Sequence, residues 1–556
     1  MRFERLSAKG VGLNSANGGH LVRHLPTFLR NKRNSQSMKN YRIPLFLSLT
    51  GLIVRLFYYF LYAKDGVVNN DASTYIKLSR HLAAGDFSAG FNSFWTPFYP
   101  LLVAIVSLFS SSRMLPTVIV SICAGSLAVP ATYYLVKQSY GRREAVIAAL
   151  IAIFYPHLLT STFNYGTENV YLLLLTFALI TGWNGLTKSS TTNFFITGLL
   201  LGCAYLTRPE AVGYLFFFAP LIFLINFKGQ GIFSRNSAKN AAVLVLGFAL
   251  LATPYIIYIR SATGIWSISP KFKTHIGGAN FSDIQLDKNF NPAPKPQALP
   301  TDGTGKIFIK SVLFNLQAAH KSFPYLFPPF LLIFVGLGLF RTKWNGSRFR
   351  REMYLLFFCA LTILGYVVTI VEVRYFYVLL PILFGWMAYG IVEMEDWLRE
   401  SLQHLSLGKL FAANLYVFPI LCLTFIILYT LPLNSFMRSS DGAWQFSQYE
   451  QRTAGLWLKE NAKPAPVVMS NDFRPAFYAE GKYVPLYSDN INEVLAEALA
   501  KQVDYLVIDE RNIKQTSQLS GLLNEPLNSP QLEVVYQATE REGYKIVIYR
   551  VKKDTR

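Results

Sequence analysis

The sequence is dominated by a series of apolar runs, most of them about as long as a bilayer is thick. A helix needs roughly 20 mainly apolar residues to cross the hydrocarbon core. Charged residues make up only 15% of the chain, against roughly 25% in a soluble domain. We therefore predict a polytopic α-helical membrane protein with about eleven spans. The predicted spans are 43–63, 116–136, 145–160, 169–187, 193–208, 211–227, 240–259, 323–340, 353–371, 375–391 and 411–431.

The distribution of basic residues predicts how these spans are oriented. The net charge is +21, and the basic residues lie mainly in short segments between spans, which is typical of cytoplasmic loops. This pattern argues against nucleic-acid binding. It places the basic tail 1–42, which we expect to be disordered, in the cytoplasm. The segment 392–410 fits less well, because Glu393, Glu395 and Asp396 offset its basic residues.

The predicted spans and their orientation divide the chain into three regions. These are the tail, a multi-span domain at 43–431 and a soluble α/β domain at 432–556. The multi-span domain has two large outer loops, 64–115 and 260–321. The run from Pro97 to Phe109 is too short to cross a bilayer and predicts a re-entrant or interfacial helix. The C-terminal domain is predicted to be extracytoplasmic, with strands at 466–470, 504–508 and 545–551 and helices at 448–461 and 490–502.

The predicted orientation of the spans places several ionisable residues on the outer face of the membrane, and ionisable groups at the ends of spans are often functional. They are Asp71, Glu168, Arg208, Glu210, Lys271, Lys273, Glu372 and Arg374. Each has a structural alternative. Asp71 could cap a helix from about Ala72 to Ala84 that ends at Gly85, and Glu168 could cap the next span. The arginines could be snorkelling residues, and the lysines solvated charges.

The order of these features resembles the C-type membrane glycosyltransferases that use polyprenyl-phosphate sugars, specifically glycosyltransferase family 39. Asp71 and Tyr75 match an acid and a tyrosine-bearing helix in the first outer loop. Trp95-Thr-Pro-Phe-Tyr-Pro100 matches a proline-rich juxtamembrane helix. Gly198-Leu-Leu-Leu-Gly-Cys-Ala-Tyr-Leu-Thr-Arg-Pro209 and Arg374-Tyr-Phe-Tyr-Val-Leu-Leu-Pro381 match two later motifs, and Glu168 matches a second acid. The chain departs from the family at Ala72, where many relatives carry a second adjacent acid.

The resemblance implies the C-type fold and the transfer of a sugar, with inversion, from a polyprenyl-phosphate donor to a protein, lipid or glycan acceptor on the outer face. Asp71 would be the general base, because a carboxylate can accept the acceptor proton, and Glu168 would either orient a sugar or acceptor hydroxyl or assist the base. Arg208, Arg374, Lys271 and Lys273 would bind the donor phosphate. Tyr75, Trp95, Tyr99 and Glu210 would position substrate. The loop 260–321 would form a lid.

The resemblance leaves the cofactor and an alternative function open. No metal ligands are assigned and no cofactor is certain, but a divalent cation is an alternative. A lipid-linked glycan ligase or polymerase, or a lipid-linked sugar transporter or flippase, is the alternative function. The expected location is the inner (plasma) membrane, with the N-terminus cytoplasmic and the C-terminal domain extracytoplasmic, periplasmic in a Gram-negative cell.

Overall fold

The computed structural model describes residues 27–63, 67–110, 112–224, 234–271, 304–341, 344–401, 417–430, 448–513, 519–524, 530–540 and 543–553. The chain divides into two compact units, Met1–Phe46 and Leu47–Arg556. In the first unit the described residues, 27–46, are helical. The fold and contacts described below belong to the second unit.

The described residues are mostly helical. The helices are α1 (Thr27–Tyr58), α2 (Asn70–Ala83), α3 (Phe87–Gly90), α4 (Phe98–Ser107), α5 (Leu115–Ser139), α6 (Arg142–Phe154), α7 (Pro156–Phe163), α8 (Glu168–Lys188), α9 (Thr191–Thr207), α10 (Leu215–Leu224), α11 (Arg235–Thr263), α12 (Thr304–Leu326), α13 (Leu332–Phe340), α14 (Gly346–Val368), α15 (Leu380–Ser401), α16 (Val417–Thr430), α17 (Tyr449–Asn461), α18 (Arg474–Tyr478), α19 (Ile491–Ala500) and α20 (Ser520–Asn524). A π-helical turn occupies Tyr59–Ala63, and 3-10 turns occupy Pro209–Tyr214, Pro329–Leu331 and Val373–Leu379.

Six helices of the described chain are long and apolar enough to cross a membrane, and two bent pairs raise this number to eight. The pairs are α6 with α7, bent by 48°, and residues 311–326 with 329–340, bent by 75°. Proline explains both breaks, because Pro156 and Pro329 cannot continue the hydrogen-bond ladder of the preceding helix. The prediction of a polytopic helical membrane protein is confirmed.

The number of eleven spans is not confirmed. The predicted spans 193–208 and 211–227 coincide with the shorter helical segments Thr191–Thr207 and Pro209–Leu224. The last predicted span begins outside the described residues, and its described part is α16. Apolar composition located these helices, but it could not show that the described segments Thr191–Thr207 and Pro209–Leu224 are shorter than a full span.

The predicted outer loop 260–321 needs a correction. Residues 304–321 belong to α12, and 260–263 still belong to α11, so the described part of this segment is largely helical. Asn315 and Ala319 of α12 are buried and Ser311 is half-buried, and this spacing of four residues places them on one helix face. The prolines, asparagines and glycines that indicated a loop lie upstream. Residues 272–303 of the predicted lid, including Lys273, lie outside the described residues.

Glycines allow two helix pairs in the membrane domain to approach closely. A Cβ on Gly198 of α9 would lie 2.2 Å from the Leu244 carbonyl oxygen of α11. A Cβ on Gly338 of α13 would lie 2.1 Å from the Trp386 carbonyl oxygen of α15. Without a strong hydrophobic driving force inside lipid, such close backbone contact is a main source of helix association.

The described C-terminal residues form a five-stranded sheet with helices, which confirms the predicted α/β domain. Strands β1 (Val467–Ser470), β2 (Lys482–Pro485), β3 (Tyr505–Asp509), β4 (Leu532–Thr539) and β5 (Lys545–Val551) lie in the order β2-β1-β3-β5-β4. β1 is parallel to β2 and β3, and β5 is antiparallel to β3 and β4. The predicted strands and helices correspond to β1, β3, β5, α17 and α19, while β2 and β4 were missed.

Charged side chains of α6, α14 and α15, with Tyr140 directly after α5, form ion-paired groups around Glu352, Glu393 and Glu395, and we call these groups together the far cluster. Both carboxylate oxygens of Glu352 accept hydrogen bonds from the Tyr140 hydroxyl, at 3.0 and 2.8 Å. Trp386 Nε1 donates to Glu352 at 2.8 Å. The acids of the segment 392–410 pair with basic residues here, which explains why that segment departs from the charge rule. The members are Tyr140, Arg143, Arg341, Arg348, Arg351, Glu352, Trp386, Glu393, Glu395, Asp396 and Arg399.

Candidate active site

Helix α2 begins two residues after the buried pair Val67-Val68 and presents Asp71 in its first turn. The N-cap is Asn69, whose side-chain oxygen accepts from the Ala72 amide at 2.7 Å. The alternative in which Asp71 is the cap is therefore wrong, although the predicted end of this helix at Gly85, with φ +78°, is correct. Because Asn69 satisfies the helix terminus, the Asp71 carboxylate is available for other contacts.

The carboxylate of Asp71 points to Arg374, which begins the last motif noted in the sequence. Arg374 Nη1 lies 3.0 Å from Asp71 Oδ2 and 3.4 Å from Glu168 Oε1. Its Nε donates to Glu372 at 2.5 Å. One guanidinium therefore links three carboxylates from three distant parts of the chain, and its planar fork suits this bridging.

Arg208 holds the other side of Glu168. Its Nη1 lies 3.8 Å from Glu168 Oε1 and its Nη2 lies 3.7 Å from Glu210 Oε1. The guanidinium also stacks at 4.2 Å over the ring of Tyr375. This aromatic contact fixes the orientation of Arg208 without using its hydrogen-bond donors.

Glu168 is the most buried acid of the site, with its side chain only 3% exposed. Its Oε2 is buried and has no hydrogen-bond partner among the described residues. A Cβ on Gly166 would lie 2.2 Å from this oxygen, so the glycine makes room for the carboxylate. A buried carboxylate oxygen without a donor is costly, and a substrate hydroxyl would satisfy it.

Lys271 and a group of aromatic residues form the remaining side. The ammonium lies 4.4 Å from the Trp95 ring centre and 4.9 Å from that of Phe94. Burial lowers the pKa of Lys271 to about 8, against the opposing effect of Glu210 and Asp71. Lys271 therefore changes charge close to neutral pH.

Tyr75 lies between this aromatic group and the acids. Its ring packs edge-on against Trp95 and Tyr99, with both pairs of centroids 5.2 Å apart. Burial, and then the charge of Asp71, raise the pKa of Tyr75 well above its usual value, so its hydroxyl remains protonated and can donate. Tyr99 is fully buried, 3.3 Å from the Ser121 hydroxyl, and packs behind Tyr75.

The structure brings together all the predicted site residues that it describes, by direct contact or through the aromatic group. We call the charged ones the site cluster: Asp71, Glu168, Arg208, Glu210, Lys271, Glu372 and Arg374. Lys273 lies outside the described residues. Sequence reasoning missed Asn69, Gly166 and Tyr375. Tyr375 follows Arg374 in a quoted motif, but its contact with Arg208 crosses the fold and had no local signal.

A metal ion does not fit between the acids of this cluster. No group of three or more His, Cys, Asp or Glu side chains in the described ranges could hold one. The Arg374 guanidinium lies between Asp71 and Glu168, where a bridging cation would have to bind. Ala72 also stands where the resemblance would offer a second adjacent acid. No catalytic step is therefore derived through a metal.

Residues 95–258 match the family model described as dolichyl-phosphate-mannose-protein mannosyltransferase. The chain is also similar to the ArnT structure from Cupriavidus metallidurans bound to undecaprenyl phosphate, with TM-score 0.54, 12% identity, and coverage of 90% of this chain and 97% of that one. The chain has the C-type glycosyltransferase fold. The predicted resemblance to this superfamily is confirmed.

A second similar structure is the oligosaccharyltransferase AglB from Archaeoglobus fulgidus, in complex with an inhibitory peptide and a dolichol-phosphate. Its TM-score is 0.52 at 14% identity, covering 84% of this chain and 70% of that one. No curated protein matches the sequence. The C-type fold therefore accommodates both of these structures.

Proposed function

We propose that this protein is a membrane glycosyltransferase that moves a sugar from a polyprenyl-phosphate donor to an acceptor hydroxyl or phosphate, with inversion at the anomeric carbon. The observation that carries the proposal is the site cluster. One partly exposed carboxylate, Asp71 at 34%, lies in an ion-pair network with Arg374, Glu168 and Arg208, and its charge acts on the ammonium of Lys271. The match of residues 95–258 to a lipid-phosphate-sugar transferase family supports the donor class.

In the proposed step, the acceptor oxygen attacks the anomeric carbon while the bond from that carbon to the phosphate oxygen breaks. Asp71 accepts the acceptor proton as the new glycosidic bond forms. The bonding electrons go to the phosphate oxygen, and the diester becomes a monoester with more negative charge. Arg208 and Lys271 stabilise this charge, and their positions are set before the reaction by stacking on aromatic rings.

The sequence predicted that Arg374 binds the donor phosphate, but in this proposal Arg374 orients the acids. Its guanidinium is shared by Asp71, Glu168 and Glu372, so it orients the acids more than it binds the donor. Glu168 orients a sugar or acceptor hydroxyl through its buried Oε2. Lys273 remains a predicted phosphate ligand on the segment that follows Lys271.

The cations assigned to the leaving group favour a donor with one phosphate. Arg374 donates hydrogen bonds to three acids, whereas Arg208 lies 3.7 and 3.8 Å from its acids, so we assign Arg208 and Lys271 to the phosphate among the described residues. A ligase or polymerase acting on a lipid diphosphate would have a more highly charged leaving group to stabilise. We also propose that the site lies on the outer face, because the contacts of the far cluster join the segments whose basic residues predict the cytoplasmic side.

The proposal is tested by measuring sugar transfer by the purified full-length protein. Radiolabelled hexoses and pentoses on polyprenyl phosphate are supplied with a cell-envelope extract, and labelled acceptor and released polyprenyl phosphate are measured. Asp71→Asn should lower kcat by about 10²–10⁴-fold without changing the fold. Asp86→Asn is the matched control, because Asp86 is also an acid of the first loop and caps the short α3. Full turnover by Asp71→Asn would exclude it as the base.

A further inference from the structure

The stretch that leads into the catalytic helix is held by the C-terminal domain. Val67 and Val68 are completely buried, although they lie in a connection outside any helix. The Val68 amide donates to the Tyr478 hydroxyl at 2.9 Å. The Val68 carbonyl accepts from Arg474 Nε at 2.7 Å. The two side chains therefore satisfy both backbone groups of one residue, three positions before Asp71.

Both side chains are themselves fixed. They lie on α18, a short helix that follows β1 at the carboxyl end of the parallel strands. Arg474 Nη1 donates to Gln451 at 3.1 Å and to Asp472 at 2.5 Å. Arg474 and Gln451 are both buried. An arginine held by two partners on its own domain can place its remaining donor accurately.

Apolar packing closes the same contact. Val67, Val68, Ala72 and Ile76 share one buried cluster with Tyr478, and this cluster also includes Val118, Ile122 and Tyr165. Nearby, Arg113 donates to the Phe477 carbonyl and lies 4.0 Å from Glu480. The docking therefore has an apolar centre with polar contacts around it, as in a specific interface.

The contact continues to both acids of the site. After Val68, Asn69 caps α2 through Ala72 and donates from Nδ2 to the Asn164 carbonyl at 3.0 Å. Asp71 lies in the capped first turn. Asn164 precedes Gly166 and Glu168, so the same side chain links the starts of the two acid-bearing helices.

We propose that Arg474 and Tyr478 are positioning residues for Asp71, and that the C-terminal domain acts in catalysis by holding the Val68 peptide. This inference rests on the proposed function. Neither residue contacts the site cluster; they act through Val68 and Asn69. A shift of about 1 Å in a catalytic group can cost on the order of a hundredfold in rate, so a loosened Val68 lowers turnover without changing which substrates bind.

The test uses two nearly isosteric variants of the full-length protein. Tyr478→Phe removes the acceptor of the Val68 amide, and Arg474→Lys keeps the charge but loses the fork of donors. Tyr549→Phe is the matched control, because its hydroxyl is also buried, donates to the Leu522 carbonyl at 2.6 Å and belongs to the same domain. Two quantities are measured: amide hydrogen exchange of peptides covering 67–83, and kcat and KM for transfer from the polyprenyl-phosphate sugar.

We expect faster exchange in 67–83 and a loss of about tenfold or more in kcat for both variants, with KM for the donor unchanged and Tyr549→Phe like wild type. Unchanged amide exchange in 67–83 would show that Arg474 and Tyr478 do not hold the Val68 peptide. Faster exchange with a normal kcat would show that holding this peptide has no role in catalysis. A fall in kcat without faster exchange would also overturn the route through Val68. Exchange needs no substrate, so a wild-type protein that fails to transfer sugar would refute the proposed function separately.

Discussion

The site cluster and the far cluster are built from the same residue types at two ends of the helix bundle, yet their carboxylates are satisfied differently. In the far cluster both oxygens of Glu352 are hydrogen-bonded, and the residue is completely buried. In the site cluster Glu168 keeps one buried oxygen without a partner among the described residues, and Asp71 is one-third exposed. A charged network whose carboxylates are fully bonded stabilises the fold, whereas incomplete bonding leaves groups for a substrate.

The distance between the clusters makes the comparison testable. Arg374 and Glu395 lie on one continuous helical segment, Val373–Ser401, and at 1.5 Å per residue they are about 30 Å apart. This is close to the thickness of the hydrocarbon core. Substitutions in one cluster should therefore leave the other in place.

The largest effect is expected for Glu352→Ala, and it should be on stability. Removing this acid leaves Arg348 and Arg351 without their buried carboxylate, and breaking a buried pair in this way costs about 3–5 kcal/mol. Thermal unfolding in detergent measures the change. Asp396→Asn is the control, because that acid is half-exposed. If Glu352→Ala unfolds like wild type but loses turnover, the far cluster is functional and the contrast between the clusters fails.

The next effect is expected for Arg374→Gln, and it should be on turnover. Without the guanidinium, Asp71, Glu168 and Glu372 lose their shared cation, and their like charges move them apart. We expect kcat to fall about a hundredfold, with a smaller loss for Arg374→Lys, which keeps the charge but cannot bridge three acids. Steady-state transfer kinetics measure this. Normal turnover in Arg374→Gln would show that the guanidinium does not set the geometry of the acids.

The sequence predicted the site better than it predicted the number of spans. The predicted orientation of the spans puts the charged residues at certain span ends on the same side of the membrane. This placed together Asp71, Glu168, Arg208 and Arg374. The cap at Asn69 was missed because Asn69, Asn70 and Asp71 are all good capping residues, and only the backbone shows which one is used. The docking of Tyr478 on Val68 joins residues more than 400 positions apart, and no periodicity or local motif indicates such a contact.

A smaller effect is expected on donor binding, which should weaken as the pH rises and Lys271 loses its proton. With its pKa lowered to about 8, the ammonium is charged below that pH and neutral above it, while the donor phosphodiester stays anionic throughout. KM for the donor should therefore be low below pH 8 and rise above it by about tenfold, the worth of one hydrogen bond to a charged group.

Lys271→Arg tests the assignment, because a guanidinium stays protonated across this range. The variant should lose the rise in KM, whereas Lys271→Met should show the high KM at every pH. A rise that persists unchanged in Lys271→Arg would assign the titration to a different group.

The smallest effect is expected for removal of divalent cations, which should change nothing. Arg374 occupies the space between Asp71 and Glu168 that a bridging cation would need, and Ala72 supplies no further ligand. Its positive charge already offsets part of the negative charge of the acids, as a metal would. The purified protein, dialysed against EDTA and then supplied with Mg²⁺ or Mn²⁺, should keep one kcat throughout. Loss of transfer in EDTA with recovery in Mn²⁺ would mean that Arg374 leaves this position during turnover, and the site cluster would then be a metal site closed by an arginine.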